Sequence, residues 1–288
     1  MKAVKGLQQV KTSAGSNKRW TLEDIPWAQF DPSSVDPDLL KIVKAAAMVE
    51  YNGGDYAAYL CNIFPDDPDF QEAARVWAAE EVQHGRALGR WAQMADPSFD
   101  FERSFARFTA GFSLPMGATS SVRGSRAGEL VARCVVEVGT SSYYSALASA
   151  ADEPVLKEIC RNIAADEFRH YKLFYTHMKR YLEKERIGKL RRILVVLGRI
   201  GESEDDELAY AYYAANGGED EPYERKRWSR AYASRAFGYY RPRHVERGMM
   251  MTFKAAGLSP HGRLARLASR GAYWLMQSRK RRFAARGF

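Results

Sequence analysis

Two segments of the chain repeat one short pattern: Glu81-Val82-Gln83-His84 and Glu167-Phe168-Arg169-His170. Each is Glu-x-x-His, and each lies in a stretch of helical period. A single glutamate precedes each copy at a matched distance. Glu50 stands 31 residues before Glu81, and Glu137 stands 30 before Glu167. Residues three apart on a helix share a face, so the Glu and His of each copy can point at one centre. Two lone glutamates plus two Glu-x-x-His pairs, all on helices, are the inward-facing ligand set of a dinuclear carboxylate site in a four-helix bundle. A single Glu-x-x-His arises often by accident. Two copies with matched upstream glutamates, each on an apolar stripe, do not.

The rest of the chain supplies helices for such a bundle. An extended N-terminal arm is expected over 1–37, where Pro26, Pro32 and Pro37 interrupt any regular element. One helix is expected from Pro37 to about Phe64, with Leu40, Val43, Ala46, Ala47, Glu50, Ala57 and Leu60 in helical period. Pro65-Asp66-Asp67-Pro68 breaks it, and a second helix runs from about Asp69 to Met94. The stretch from Pro97 to about Ser125, richer in Gly, Ser and Pro, reads as a long crossover. A third helix is expected over Ala127–Ala150 and a fourth over Pro154–Glu185, separated by a short link at Ala151–Glu153. The expected organisation is therefore an arm (1–37), an all-α four-helix bundle (38–185) and a basic helical extension packed on it (186–288). Two glycines, Gly53 and Gly54, follow Glu50 by one turn and mark either a kink or room beside the site.

Charge divides the chain. From Lys179 to the end there are 25 Lys/Arg against 12 Asp/Glu, whereas the residues before Lys179 hold 19 against 23. The final segment, Arg263 to Arg282, reads as a basic amphipathic helix. Such a surface suits an acidic protein, a nucleic acid or an anionic membrane. At 46% apolar and 12% aromatic residues over 288 positions, the chain can bury a sizeable core. Cys61, Cys134 and Cys160 are odd in number and form no Cys-x-x-Cys pair, so a reducing compartment is expected. The opening segment has no apolar stretch of a secretion signal. The longest aliphatic run, Ile193 to Leu197, is too short to span a bilayer. A cytoplasmic location, or one peripheral to a membrane, follows as an expectation.

Glu50, Glu81, His84, Glu137, Glu167 and His170 are the expected metal ligands. Four carboxylates balance two divalent metals, and without metal their burial would be costly and would raise their pKa values. Carboxylate oxygen with imidazole suits iron, or manganese or a mixed pair, better than a soft metal. Tyr144 lies on the same stripe and is expected to pack in the core. His177 is expected to be structural.

With these residues in place, the chain resembles the ferritin-like di-iron carboxylate superfamily over about residues 38–182. Its local wording looks most like the soluble acyl-carrier-protein desaturases. Trp77-Ala78-Ala79-Glu80-Glu81-Val82-Gln83-His84-Gly85 resembles their Glu-Glu-x-x-His-Gly segment, and Ile163-Ala164-Ala165-Asp166-Glu167-Phe168-Arg169-His170 resembles their Ala-Ala-Asp-Glu-x-Arg-His segment. The resemblance implies that Asp166 orients His84 and that Glu80 orients His170 across the bundle. It implies that Trp27 ends the Asp166–His84 network. It also implies an oxygen-side threonine at Thr140, where rubrerythrins place an extra glutamate. Two iron ions, dioxygen, an organic substrate and a reductase or ferredoxin-type electron donor follow from it. An acyl chain on an acidic carrier protein, or a lipid at a membrane surface, fits the basic C-terminal half, and a homodimer is expected. The activity implied is desaturation or hydroxylation by a di-iron oxidase. Iron oxidation or peroxide removal, and hydroxylation of RNA, are the alternatives.

Overall fold

A computed structural model describes residues 19–202, 206–218 and 220–285. The expectations for 1–18 of the arm, for 203–205 and 219 in the acidic spacers, and for 286–288 lie outside the described residues. Their regular structure is all helical, with no strand among the described residues.

Helix starts follow from an acid placed before proline. Asp36, Asp67 and Glu153 each precede a proline that opens a helix: α1 (Pro37–Tyr51), α3 (Pro68–Ala95) and α6 (Pro154–Glu185). Each acid accepts hydrogen bonds from amides of the first turn, while proline fills a position whose N–H would have no partner. Glu153 is the most deeply set. It caps Val155 and Leu156, accepts the Trp91 indole N–H at 2.7 Å, and takes the Asp31 amide at 3.2 Å. One buried carboxylate thus ties the arm, α3 and α6 together.

The single helix expected over Pro37–Phe64 is two helices, α1 and α2 (Gly53–Ile63), hinged at Asn52. Packing explains the break. A Cβ on Gly53 would lie 2.6 Å from the Glu81 Cβ, so only glycine lets the chain come this close to α3.

The core forms two apolar clusters, one at each end of the bundle. At one end, Ile42 of α1, Leu88 and Trp91 of α3, Leu147 of α5 (Arg126–Ala150) and Ile159 of α6 pack together. At the other end lie Leu60 of α2, Phe70 of α3, Leu130 of α5 and Phe174 of α6. The direction of each helix follows from these placements. The α1 and α6 helices run from the first cluster to the second, and α3 and α5 run back. Because α3 ends where α6 begins and α5 begins at the far end, the link from α3 to α5 must travel the length of the bundle. It is not wholly irregular, as the sequence suggested. It contains α4 (Phe101–Gly111), capped by Asp100, with Phe101, Phe105, Phe108 and Phe112 stacked along one side.

Residues after the bundle form α7 (Lys189–Gly201), α8 (Asp206–Asn216), α9 (Arg225–Tyr239), α10 (Pro242–Ala255) and α11 (Arg263–Ala284). The α7 and α10 helices lie on the outer side of α5, α8 and α9 lie against α1, and α11 covers α9 and α10. No helix of the described residues is long and apolar enough to cross a membrane.

Candidate metal centre

Between the two apolar clusters lies a polar layer. Glu50, Glu81, His84, Glu137, Glu167 and His170 are all buried there, on α1, α3, α5 and α6. They form two groups. Ligand atoms of Glu50, Glu81, His84 and Glu167 lie within 4.8 Å of one another, and so do those of Glu81, Glu137, Glu167 and His170. Glu81 and Glu167 belong to both, so the repeated motif supplies the two shared carboxylates. Glu50 with His84, and Glu137 with His170, close the two ends.

The histidines are aimed by their outer nitrogens. His84 Nε2 lies 3.0 Å from Asp166 Oδ2, and His170 Nε2 lies 2.7 Å from Glu80 Oε2. For Asp166 and Glu80, burial opposes ionisation. The hydrogen bonds from the histidines and the charge of Arg169 outweigh it and hold both carboxyls below their usual range. An ionised carboxylate can only accept, so Nε2 of each ring carries the proton. Nδ1 of each then turns inward: His84 Nδ1 is 3.4 Å from both Glu50 Oε2 and Glu167 Oε1, and His170 Nδ1 is 2.9 Å from Glu81 Oε1. The crossed contacts are those expected for Asp166 and Glu80.

Two participants escaped the sequence reading. Trp20, rather than Trp27, meets Asp166: its Nε1 donates to Oδ2 at 2.7 Å, and its ring lies parallel to that of His84 with centroids 5.9 Å apart. Trp27 instead donates to the Leu22 carbonyl at 2.7 Å and lies under the Arg90 guanidinium. Arg169, which the sequence presents only as a residue inside the second motif, pairs with Asp166 and also stands 3.5 Å from Glu80. Its i,i+3 spacing from Asp166 was the available signal. One guanidinium thereby serves both histidine-orienting acids.

Two hydroxyls sit against the converging carboxylates, and a third meets the backbone of α6. Thr140 Oγ1 donates to Glu167 Oε2 at 2.6 Å, and it also lies 3.1 Å from the Glu137 carbonyl. Ser141 donates to the Ala164 carbonyl at 3.1 Å. Tyr144, expected as plain core, donates its phenol to Glu50 Oε1 at 2.6 Å. His177 lies outside the centre, against Phe70 and Arg180. A separate cavity of about 380 Å³ opens on the outer side of Glu80 and Asp166, lined by Arg19, Trp20, Gln83 and Ala79.

The donor set fits a pair of metal ions. Oε1 of Glu81, Glu137 and Glu167 and Nδ1 of His170 are buried without a well-formed hydrogen bond, and all belong to the converging groups. Buried polar atoms are ordinarily paired, so the layer is incomplete without a cation. Its electrostatics agree. Burial, joined by the Glu81 charge, pushes the Glu50 carboxyl well above its ordinary range. Burial, together with the charges of Glu167 and Glu81, does the same to Glu137. Burial also works against ionised Glu81, but its close approach to Glu50, His170 and His84 prevails and holds it well below the usual value. Both imidazoles are raised well above theirs by the surrounding carboxylates, against the effect of burial.

The glycine after the first motif keeps this layer tight. A Cβ on Gly85 would lie 2.5 Å from the Tyr51 backbone nitrogen, next to Glu50. Backbone cannot move aside as a side-chain tip can. Gly85→Ala is expected to cost about 2–3 kcal/mol and to weaken metal binding at the Glu50 end, read by chemical denaturation and metal titration.

Residues 65–197 match the model of a fatty acid desaturase family. The matched stretch holds Glu81, His84, Glu137, Thr140, Glu167 and His170, and leaves Glu50 just outside it. A search of curated proteins finds no match to the chain.

Proposed function

We propose that this chain is a di-iron oxidoreductase that activates dioxygen to oxidise an acyl-chain substrate, by desaturation or hydroxylation. The observation that carries the reading is the pair of buried ligand groups sharing Glu81 and Glu167, five of whose six members fall within the desaturase match. Two bound iron ions would supply the electrons and the Lewis acidity that reduce dioxygen.

The protein's own part follows from its residues. Glu81 and Glu167 hold the two ends of the site at one spacing, while Glu50, Glu137 and the two inward Nδ1 atoms complete each end. Asp166 and Glu80 keep each imidazole in the tautomer that leaves Nδ1 free. The apolar clusters above and below exclude water, which protects a reactive oxidant and strengthens every charge interaction inside. Thr140 holds a proton at Oγ1 against a shared carboxylate and is half-buried, with exposed Gly139 beside it. Substrate would approach from that side, where the hydroxyl can hand on a proton.

The basic surface suits delivery of such a substrate. Neither α7 nor α11 contains an acidic residue, and they expose Leu190, Leu194 and Leu197, and Leu264, Leu267 and Trp274. An acidic acyl carrier protein or an anionic membrane surface matches that chemistry. A ferredoxin-type protein would supply electrons.

The test is oxygen uptake by iron-loaded protein with a ferredoxin reducing system and acyl substrates, free and carrier-bound, with products read by mass spectrometry. A substrate-dependent loss of two hydrogens or gain of one oxygen supports the reading. Uptake that tracks only added ferrous iron would replace it with iron handling. Thr140→Val is expected to keep its iron yet lower product per oxygen consumed by about tenfold or more.

A further inference from the structure

The density of tyrosine and tryptophan between α5 and α9 has no part in the chemistry above. Their rings, with one hydroxyl-to-hydroxyl approach between α5 and α9, form a series that starts beside Glu50. Tyr144 donates to Glu50 at 2.6 Å. Its ring lies 5.1 Å, centroid to centroid, from that of Tyr143. The Tyr143 hydroxyl lies toward that of Tyr232 on α9, without the alignment of a proper hydrogen bond. Tyr232 stands 5.8 Å from Tyr212 on α8, and Tyr212 stands 6.1 Å from Trp228. Tyr213 follows at 5.3 Å and Tyr223 at a further 5.3 Å. Tyr223 and its neighbour Tyr210 are half-buried, so the series ends at the surface.

Packing alone accounts poorly for two members. The Tyr143 hydroxyl and the Trp228 indole N–H are both buried without a well-formed hydrogen bond. A buried, unpaired donor destabilises the fold, and phenylalanine would fill the Tyr143 position without that cost. What phenylalanine lacks is a ring that gives up an electron readily. Phenols and indoles yield one only to a strong oxidant, so low-potential reducing electrons would not enter by this route. The direction is therefore set: oxidising equivalents leave.

We propose that Tyr144, Tyr143, Tyr232, Tyr212, Trp228, Tyr213 and Tyr223 form a conduit that carries oxidising equivalents from the metal centre to the surface when dioxygen is activated with no organic substrate in place. The inference rests on the oxygen-activating reading above. Reducing dioxygen to two waters takes four electrons and four protons. A reduced metal pair held by the six residues would supply two of the electrons. In desaturation the other two, with two protons, come from the C–H bonds of the substrate. In its absence the two electrons come through the conduit, one at a time, and the two protons are drawn from solvent. Tyr144 gives an electron to the oxygen-derived oxidant and shifts its phenolic proton along the hydrogen bond toward Glu50. Tyr143 replaces that electron and the proton returns, and each ring in turn is refilled from the next. At Tyr223 a soluble one-electron reductant, such as a thiol or ascorbate, returns one electron and one proton, and is itself oxidised.

The experiment exposes the ferrous-loaded full chain to dioxygen without organic substrate or added reductant. Oxygen uptake, electron paramagnetic resonance of rapidly frozen samples, and peptide mapping of oxidised residues are read together. Tyrosyl-radical signal and oxidation products at Trp228 and Tyr223 are expected in the wild type. Tyr232→Phe keeps the ring and should keep iron content and oxygen uptake, but lose the products beyond position 232 and gain them at Tyr143 and Tyr144. Tyr175→Phe, outside the series, should behave as the wild type. Equal oxidation of Trp228 and Tyr223 with and without the Tyr232 hydroxyl overturns the conduit, as does wild-type damage confined to the ligands and Tyr144. If the loaded chain consumes no dioxygen, the oxygen-activating reading itself fails and the conduit with it.

Discussion

Glu81→Ala is expected to abolish binding of both metals, whereas Glu50→Ala is expected to leave one. The difference follows from membership: Glu81 belongs to both ligand groups, and Glu50 to one. Without Glu81, each end is left with three of its four donors, and each of the two histidines loses an inner carboxylate, at 3.8 Å for His84 and 2.9 Å for His170. Without Glu50, the Glu81, Glu137, Glu167 and His170 group is intact. Iron per chain should therefore fall from two to near none in the first variant and to about one in the second, with oxygen uptake lost in both, because reduction of dioxygen draws on the pair. Asp166→Ala tests the graded case. It removes no ligand but frees His84 to rotate and change tautomer, and should weaken metal binding by about 10–100-fold. Metal analysis after anaerobic loading and desalting separates the three. Retention of two irons by Glu81→Ala, with helical content unchanged, would remove the basis for a shared-carboxylate centre.

What could be read from the chain, and what could not, divides along a physical line. Periodicity on a helix is local, so the six side chains that converge in the polar layer, the two acids beside the motifs and the all-helical fold were legible from spacing and resemblance. Acid-proline pairs are local too, and the starts of α1, α3 and α6 fall where they stand. The hinge at Asn52 was not legible. It depends on how near α2 must come to Glu81, a distance set by a helix that begins fifteen residues further on. The choice of Trp20 over Trp27 likewise turns on where the arm crosses Asp166, which no period in the arm announces. The α4 helix was hidden because glycine, serine and proline around it dominate the composition, although Phe101, Phe105 and Phe108 have helical spacing in themselves. Tyr144 shows a different limit. Its place on the stripe was plain, yet whether a stripe tyrosine merely packs or donates to Glu50 depends on where α1 sets that carboxylate against α5.

Metal-free protein should lose stability as pH rises, and metal should reverse the trend. The folded-state pKa values of Glu50 and Glu137 are raised, by burial first and by neighbouring carboxylates next. Between the ordinary carboxylate value and the raised one, the native chain holds protons that the unfolded chain has lost, so stability falls as pH rises. His84 and His170 act in the same sense. Their raised pKa values add stability that is complete below the ordinary imidazole value and is lost as pH climbs through the raised one. Glu81 and Glu167 have lowered values, so their contribution is lost only on the acid side, below the ordinary carboxylate range. Above the ordinary carboxylate value the two raised carboxyls therefore pull one way, and above the ordinary imidazole value the histidines join them, each proton worth up to about 1.4 kcal/mol per pH unit. Glu137→Gln deletes one of these protons and should flatten the slope by up to that amount in the presence of chelator, while preventing full metal loading. That comparison cancels the contribution of the chain's overall positive charge, which both proteins share. Metal requires deprotonated ligands, so its binding tightens as pH rises, and the loaded wild type should be the more stable form at the alkaline end. Denaturant unfolding at about pH 5.5 and about pH 8, with chelator and with ferrous iron under nitrogen, reads all of these terms. Equal slopes for metal-free wild type and Glu137→Gln would mean that the Glu137 carboxyl is ionised in the fold without a cation, and that burial does not hold a proton in this layer.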